Sequence, residues 1–333
     1  MSHRKTYDEI NTSRVFAADT LLQQNALTVY PGINYYVGGG ITYEWSSKWQ
    51  ISYDARITYN TFENLTKNIN SIRKQADDFI LSNNENNVSN DGHTFNINNS
   101  VNLKNKIDSL GSEWTTDFTY NFNKGSTEQL YNTLFQLPAL PEQSGNGIIR
   151  NDRHFGAAQT DLKLKFKHKY TLEAGLKSTV QQFKNRTNYS LLKESILVTD
   201  EFRTSSFNYD ENINAAYIQG TKTIDDIIIK AGLRAENTNM RGNQLVPLDT
   251  NFNIHRTDLF PYIYLSKKVM KIAGYEIRGY LVYRRSITRP VYDYLNPFPR
   301  FIDAYLFETG NPPLLPQFTQ NFEANISFDK TPL

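Results

Sequence analysis

The chain has 333 residues, and its 36 lysines and arginines against 34 aspartates and glutamates leave a formal net charge of +2, a balance that argues against a nucleic-acid binder. With no cysteine it has no disulfide, no thiolate metal site and no cysteine nucleophile. The 21 tyrosines and 20 phenylalanines sit beside a negative mean hydropathy, unusual for a soluble α/β enzyme, and no run approaches the roughly eighteen apolar residues that a membrane helix needs.

In chain order, the start from Met1 to Ile10 has no apolar core of the kind a secretory leader carries, so an exported protein with this sequence is expected to be an incomplete piece. The first clear strand runs from about Ile33 to Trp45 and contains Gly38-Gly39-Gly40, which permits curvature or close backbone approach. Ser46-Ser47-Lys48 turns it into a strand from Trp49 to Tyr59, in which Trp49, Ile51, Tyr53, Ala55, Ile57 and Tyr59 alternate with polar residues. After Phe62 the polar stretch through Asn83–Asn87 and Asn90-Asp91-Gly92 reads as a solvent-exposed loop.

Phe95, Ile97, Val101 and Leu103 then form one face of a strand, and Asp108–Ser112 turns it into Trp114, Thr116, Phe118, Tyr120 and Phe122. A second long connection holds Leu137–Pro141 and Ser144–Gly147. It precedes a hairpin in which Ala158 to Phe166 turns at His168-Lys169 and returns through Leu172, Ala174 and Leu176 before dissolving at Gln181–Arg186. The next pair sets Ile213, Ala215 and Tyr217 with Ile227, Ile229, Ala231, Leu233 and Ala235, leaving Lys230, Arg234 and Glu236 on the other face. Pro261, within Leu259–Ser266, belongs at a strand start or a bulge. Tyr275 to Tyr283 and Phe318 to Phe328 complete the series.

About eleven strands result, with close turns and connections of roughly fifteen to thirty residues alternating between them, the rhythm of a transmembrane β-barrel with short periplasmic turns and long extracellular loops. The strands are about twice as long as those of a soluble sandwich and close to what a tilted strand needs to cross the hydrocarbon layer. The expected fold class is therefore all-β, an antiparallel transmembrane β-barrel fragment spanning 1–333 and lying in lipid. Asp54, Arg56, Lys163, Glu173, Arg234, Glu236, Arg278 and Arg284 fall on the polar faces and are the lumen-facing candidates. A lumen is polar by default, so these charges do not by themselves mark a site. Aromatics near strand ends, among them Tyr59, Phe62, Trp114, Phe122 and Tyr283, fit interfacial girdles.

No phosphate loop, metal-spaced histidine pair or nucleophile elbow is present, so neither an enzyme nor a cofactor is expected. The adjacent carboxylates Asp77-Asp78 and Asp225-Asp226 are solvated turn charges on this reading. Loops carry recognition more often than walls, which makes Arg289, Tyr292, Tyr294, Asn296, Phe298, Tyr305 and Asn311 the ligand candidates. Prolines 290, 297, 312 and 316 restrict that last loop, and Gly310 permits a turn within it.

The stretch Arg284-Arg285-Ser286-Ile287-Thr288-Arg289-Pro290, followed by Leu295-Asn296-Pro297-Phe298, Gly310-Asn311-Pro312 and Leu315-Pro316, resembles the barrel signature of TonB-dependent outer-membrane receptors, in the outer membrane protein β-barrel family. Ala215–Ile218, Ala231–Thr238 and Leu259-Phe260-Pro261 look like the preceding strands of that family. The resemblance implies a barrel filled by an N-terminal plug, through which the TonB complex drives uptake of a scarce small ligand. Neither plug nor TonB box matches here, so about half of such a barrel is expected. A passive porin-like or adhesin-like barrel and a soluble β-rich carbohydrate-binding protein are the alternatives; the last requires polar outer faces.

Overall fold

The computed structural model describes residues 1–16, 19–246, 249–272, 275–297, 300–303 and 306–330. Its main sheet is an antiparallel meander of β1 (Ser2–Phe16), β2 (Thr20–Glu44), β3 (Trp49–Lys74), β4 (Ile80–Lys106), β5 (Glu113–Leu137), β6 (Leu140–Phe166) and β7 (Tyr170–Lys193). It continues through β9 (Ser205–Ile224), β10 (Ile227–Val246), β11 (Thr250–Ile272), β12 (Tyr275–Thr288) and β15 (Gln317–Lys330). A short β8 (Ile196–Thr199) pairs with the end of β7, and the connection between β12 and β15 carries the one-turn α1 (Tyr292–Leu295) and the small hairpin β13 (Arg300–Asp303) and β14 (Leu306–Glu308).

Directly opposed residues of an antiparallel pair share a face, so the register shows whether the apolar alternation keeps its phase from strand to strand. It does. Ile41 opposes Tyr53, Tyr53 opposes Val101, Val101 opposes Phe118, and Phe118 opposes Ala158. Further on, Leu176 opposes Ala216, Ile218 opposes Leu233, Leu265 opposes Leu281, and Leu281 opposes Ala324. Large side chains on these rows, such as Ile41, Phe118, Leu176, Ile218 and Leu281, are exposed, which in water would be an aggregating surface and in a bilayer is the lipid face. The polar outer faces that a soluble carbohydrate-binding protein requires are absent from these rows.

From Trp49 to Tyr59 a strand tilted about 40° rises about 25 Å, the height of the apolar band of an outer-membrane barrel. Aromatics mark both margins. Trp45 stacks on Trp49 at 5.4 Å and Trp49 meets Trp114 edge-on at 5.8 Å on one side, while Tyr35 and Tyr59 lie 6.4 Å apart on the other. Tyr283 also belongs to the lipid face, 4.7 Å from Phe322. Phe62 does not: its ring lies over Gly92 on the polar face, where any Cβ would collide with it, so it is not a girdle residue.

The strands extend far past the band, and here the structure differs from the sequence expectation. β2 to β7 run 24 to 27 residues, and the long excursions on one side of the membrane are paired strand rather than irregular loop. Asn83–Asn87 and Asn90–Gly92 lie within β4, Ser144–Gly147 within β6 and Gln181–Arg186 within β7. The reason is side-chain pairing. Gln24 donates to Asn70 at 2.8 Å, Asn70 donates to Asn84 at 2.9 Å, Asn86 donates to Thr133 at 2.9 Å and Gln129 donates to Asn90 at 2.7 Å. Asparagines that look too hydrophilic to pack satisfy one another across the ladder, and Asn70 and Asn84 are buried. Asn70→Ala leaves Gln24 and Asn84 without this shared partner, a loss of about 1–3 kcal/mol. Faster amide exchange is expected at the ends of β2, β3 and β4, with the band unaffected; unchanged exchange there would remove the asparagine ladder as the cause of the long strands.

Three other expectations are corrected. β1 and the first part of β2 precede the strand expected from Ile33. Ile213, Ala215 and Tyr217 oppose Thr238, Glu236 and Arg234 and so share the polar face, while Ala216 and Ile218 face lipid; alanine and isoleucine occupy both sides of β9, so its phase is ambiguous without a partner. Pro261 is inside β11 and opposes Leu233, one residue beyond Tyr262↔Arg284, the last pair with β12, so the ladder on that side has ended where its missing donor would fall. β1 and β15 each have one neighbour among the described residues.

Candidate functional site

The polar face is where a solute would be met, and its charges are mostly paired. Lys163 opposes Glu173, which accepts from Gln219 and lies 3.8 Å from Lys230. Arg278 meets Glu276 at 3.0 Å, and Arg284 meets Glu323 at 2.9 Å. Asp54 packs on Gly40 and Arg56 lies 5.4 Å from the ring of Tyr36, which itself rests on Gly38. The triple glycine therefore serves close approach: a Cβ at position 38 or 40 would strike Tyr36 or Asp54. These lumen-facing candidates are spread along the wall and make no single centre.

Arg234 and Glu236 are different, because the segment between β12 and β15 comes to them. Arg234 Nε donates to Glu236 at 2.6 Å, and Arg289, at the start of that segment, donates Nη2 to the other carboxylate oxygen and to Thr238 Oγ1 at 3.1 Å. Glu236 is thus held between two guanidiniums while mostly buried. On the neighbouring strand Arg256 donates two hydrogen bonds to Asp258, at 2.7 and 2.9 Å, and Asp258 opposes Glu236 in the register. This cluster lies where the outward face of β10 changes from Leu233 and Ala235 to Asn237 and Asn239, near the margin of the apolar band.

An apolar anchor stands beside it. Phe207 and Tyr209 of β9 and Met240 of β10 bury Leu295 of α1 completely, with Phe183, Phe252 and Ile254 around them. Tyr209 donates its hydroxyl to Glu211 at 2.8 Å; burial, and then the Glu211 charge, hold the phenol well above its usual range. Two backbone bonds clamp the segment on itself, from the Gly310 amide to the Asn296 carbonyl and from the Asn311 amide to the Tyr294 carbonyl, both 2.7 Å. Gly310 was expected to serve a turn; what the structure requires of it is room, since a Cβ there would lie 2.5 Å from the Asn296 carbonyl oxygen.

Of the loop candidates, Arg289 is therefore in the cluster, Asn296 and Asn311 act through their backbone, and the Tyr294 side chain is exposed. Tyr292 lies in α1 with its side chain outside the described residues, and Phe298 and Tyr305 lie outside them altogether. The sequence reading missed Thr238, Arg256, Asp258, Tyr209 and Leu295. One signal was available: Arg234-x-Glu236 and Arg256-x-Asp258 repeat the same two-residue, same-face spacing on adjacent strands.

Farther out, Tyr131 and Tyr189 pack with ring centroids 6.3 Å apart, and the Arg203 guanidinium lies 4.8 Å over Tyr131. Burial pushes both phenols up, with Arg203 opposing. Among the described residues no group of acidic, histidine or cysteine side chains is placed to hold a metal ion.

Residues 105–333 match the family model described as the outer membrane protein beta-barrel family. No curated protein matches the sequence. Among solved structures, the translocator domain of the autotransporter NalP from Neisseria meningitidis is similar at 11% identity, with a TM-score of 0.25, covering 84% of this chain and 80% of that one. The beta domain of the Bordetella autotransporter BrkA is similar at 9% identity and a TM-score of 0.29, covering 84% and 89%. The ferric citrate transporter FecA is similar at 7% identity and a TM-score of 0.32, covering 84% of this chain and 44% of that one. The chain belongs to the outer membrane protein β-barrel family, and its place is the cell outer membrane.

Proposed function

We propose that the chain forms part of the barrel wall of a TonB-dependent receptor that takes up a scarce small ligand. The observation that carries this reading is the start of the connection after β12, which is drawn onto the polar face near the margin of the apolar band by the Arg289–Glu236 ion pair and by burial of Leu295. A passive porin works through an open lumen, and a wall that folds its own connection inward works against conductance. The resemblance of the stretch from Arg284 to Pro316 to the receptor signature adds to it. TonB would act through a plug domain, which none of the described elements supplies, and the outward face is in contact with outer-membrane lipid.

The test uses protein expressed from the complete gene and purified in detergent. Retention on an immobilised periplasmic domain of TonB, together with planar bilayers that show no steady open channel, is the expected result. A steady conductance without TonB retention would overturn the proposal and leave the passive barrel.

A further inference from the structure

The cluster around Arg289 carries more cation than its carboxylates neutralise. Arg234 and Arg289 share Glu236, Arg256 takes both oxygens of Asp258, and Glu211 accepts from Tyr209. Arg285 has no carboxylate within ion-pair distance among the described residues. Its hydrogen bond goes to the Leu259 carbonyl at 3.3 Å, and its guanidinium lies 4.4 Å from the ring centroid of Phe318, which Arg256 also approaches at 5.1 Å. Arg256, Arg285 and Arg289 all lie within electrostatic reach of Asp258, so the four arginines and three carboxylates act as one group with an excess of one positive charge.

Two donors in this group are unmet: Nε of Arg285 and Nε of Arg289 are shut off from solvent with no acceptor. Buried N–H groups of cations are among the least tolerable groups to leave unpaired. Further, the Phe318 ring lies against the Arg285 guanidinium, whose planar fork is what a carboxylate or phosphate accepts from in two parallel hydrogen bonds. The pairing of β11 with β12 ends at Tyr262↔Arg284, one residue before Arg285.

We propose that Arg285 and Arg289 form an oxyanion-binding site beside the ion-pair cluster, where β12 leaves β11, taking a carboxylate or phosphate group. Arg285 supplies the uncompensated charge and the oriented fork. Arg289 supplies a second N–H while remaining tied to Glu236. Phe318 is a positioning residue that lies against the Arg285 guanidinium. The site goes beyond the uptake reading and does not depend on energy coupling: a barrel that failed to bind TonB would still bind the anion.

The experiment titrates the full-length protein in detergent with inorganic phosphate and with acetate, each against sodium chloride at matched ionic strength, by isothermal titration calorimetry. Saturable binding of phosphate or acetate, absent with chloride, is expected. Arg285→Gln should weaken it at least tenfold, and Arg285→Lys, which keeps the charge and loses the fork, should fall between. Absence of saturable binding of either oxyanion to the unmodified protein would overturn the site whatever the variants do. So would an affinity unchanged in Arg285→Gln or in Arg285→Lys, the latter serving if the former does not fold.

Discussion

Phe118→Lys is expected to cost about 2–4 kcal/mol of folding free energy in the membrane, the range for a lysine placed on the lipid face near the bilayer midplane. Phe118 projects outward between Val101 and Ala158, about midway between the aromatic margins. The control is the next residue. Thr119 opposes Ser100 and Ala157 on the polar face, and Thr119→Lys places the same charge in the lumen, where water solvates it. The two variants place the same charge one position apart on opposite faces, so their difference reads the face, with loss of the Phe118 ring from lipid as part of the lipid-face cost. Urea titration of protein refolded in lipid vesicles, read by the heat-dependent mobility shift of folded barrels, measures it. Equal midpoints for the two variants would mean that the sheet faces are not lipid and lumen.

That contrast rests on the part of the fold most legible in the sequence. A strand crossing lipid must keep one face apolar over its whole span, so the period of two survives from Ile51 to Tyr59 and from Trp114 to Phe122 without help from neighbours. Beyond the band that constraint ends. The ends of β3, β4 and β6 are held by cross-strand amide and hydroxyl bonds such as Asn70 to Asn84, in which both partners are polar and no hydrophobic alternation need appear. Polar stretches that pair and polar stretches that do not look alike in one dimension. The phase of β9 failed for a related reason: Ile213 and Tyr217 are large enough for a lipid face, and only the opposing Thr238 and Arg234 reveal that they face inward.

The candidate site was legible in its pieces and hidden in its assembly. Glu236 and Arg289 are separated by more than fifty positions, and nothing local in either says that they meet. Leu295 reads as one apolar residue in a proline-bounded loop, yet it is the anchor that Phe207, Tyr209 and Met240 close over. Such contacts are set by how a connection folds back on a wall already built. A single sequence records the ingredients, Arg-Pro before the segment and Gly-Asn-Pro within it, without recording where the segment lands.

Where it lands makes the second large prediction. Glu236→Ala leaves Arg234 and Arg289 facing each other on a mostly buried stretch of wall without their shared carboxylate. Removing one partner of a fully buried pair costs about 3–5 kcal/mol, and because Arg289 is 21% exposed the lower end of that range applies. The cost falls on the docking of the 289–316 segment, since the strands beneath it keep their full ladders. Release is therefore the expected outcome: proteinase K added to intact cells should cut within the segment in Glu236→Ala and spare it in the unmodified protein, while the barrel keeps its folded mobility. Leu295→Ala acts on the same docking from the apolar side, at about 2–5 kcal/mol for a fully buried leucine. If ion pair and anchor hold one unit, the two changes act on the same release. Cleavage in the double variant then rises by the product of the two single-variant factors until the segment is fully released, whereas rates that merely add would mean that Arg289 and Leu295 secure separate pieces of the segment.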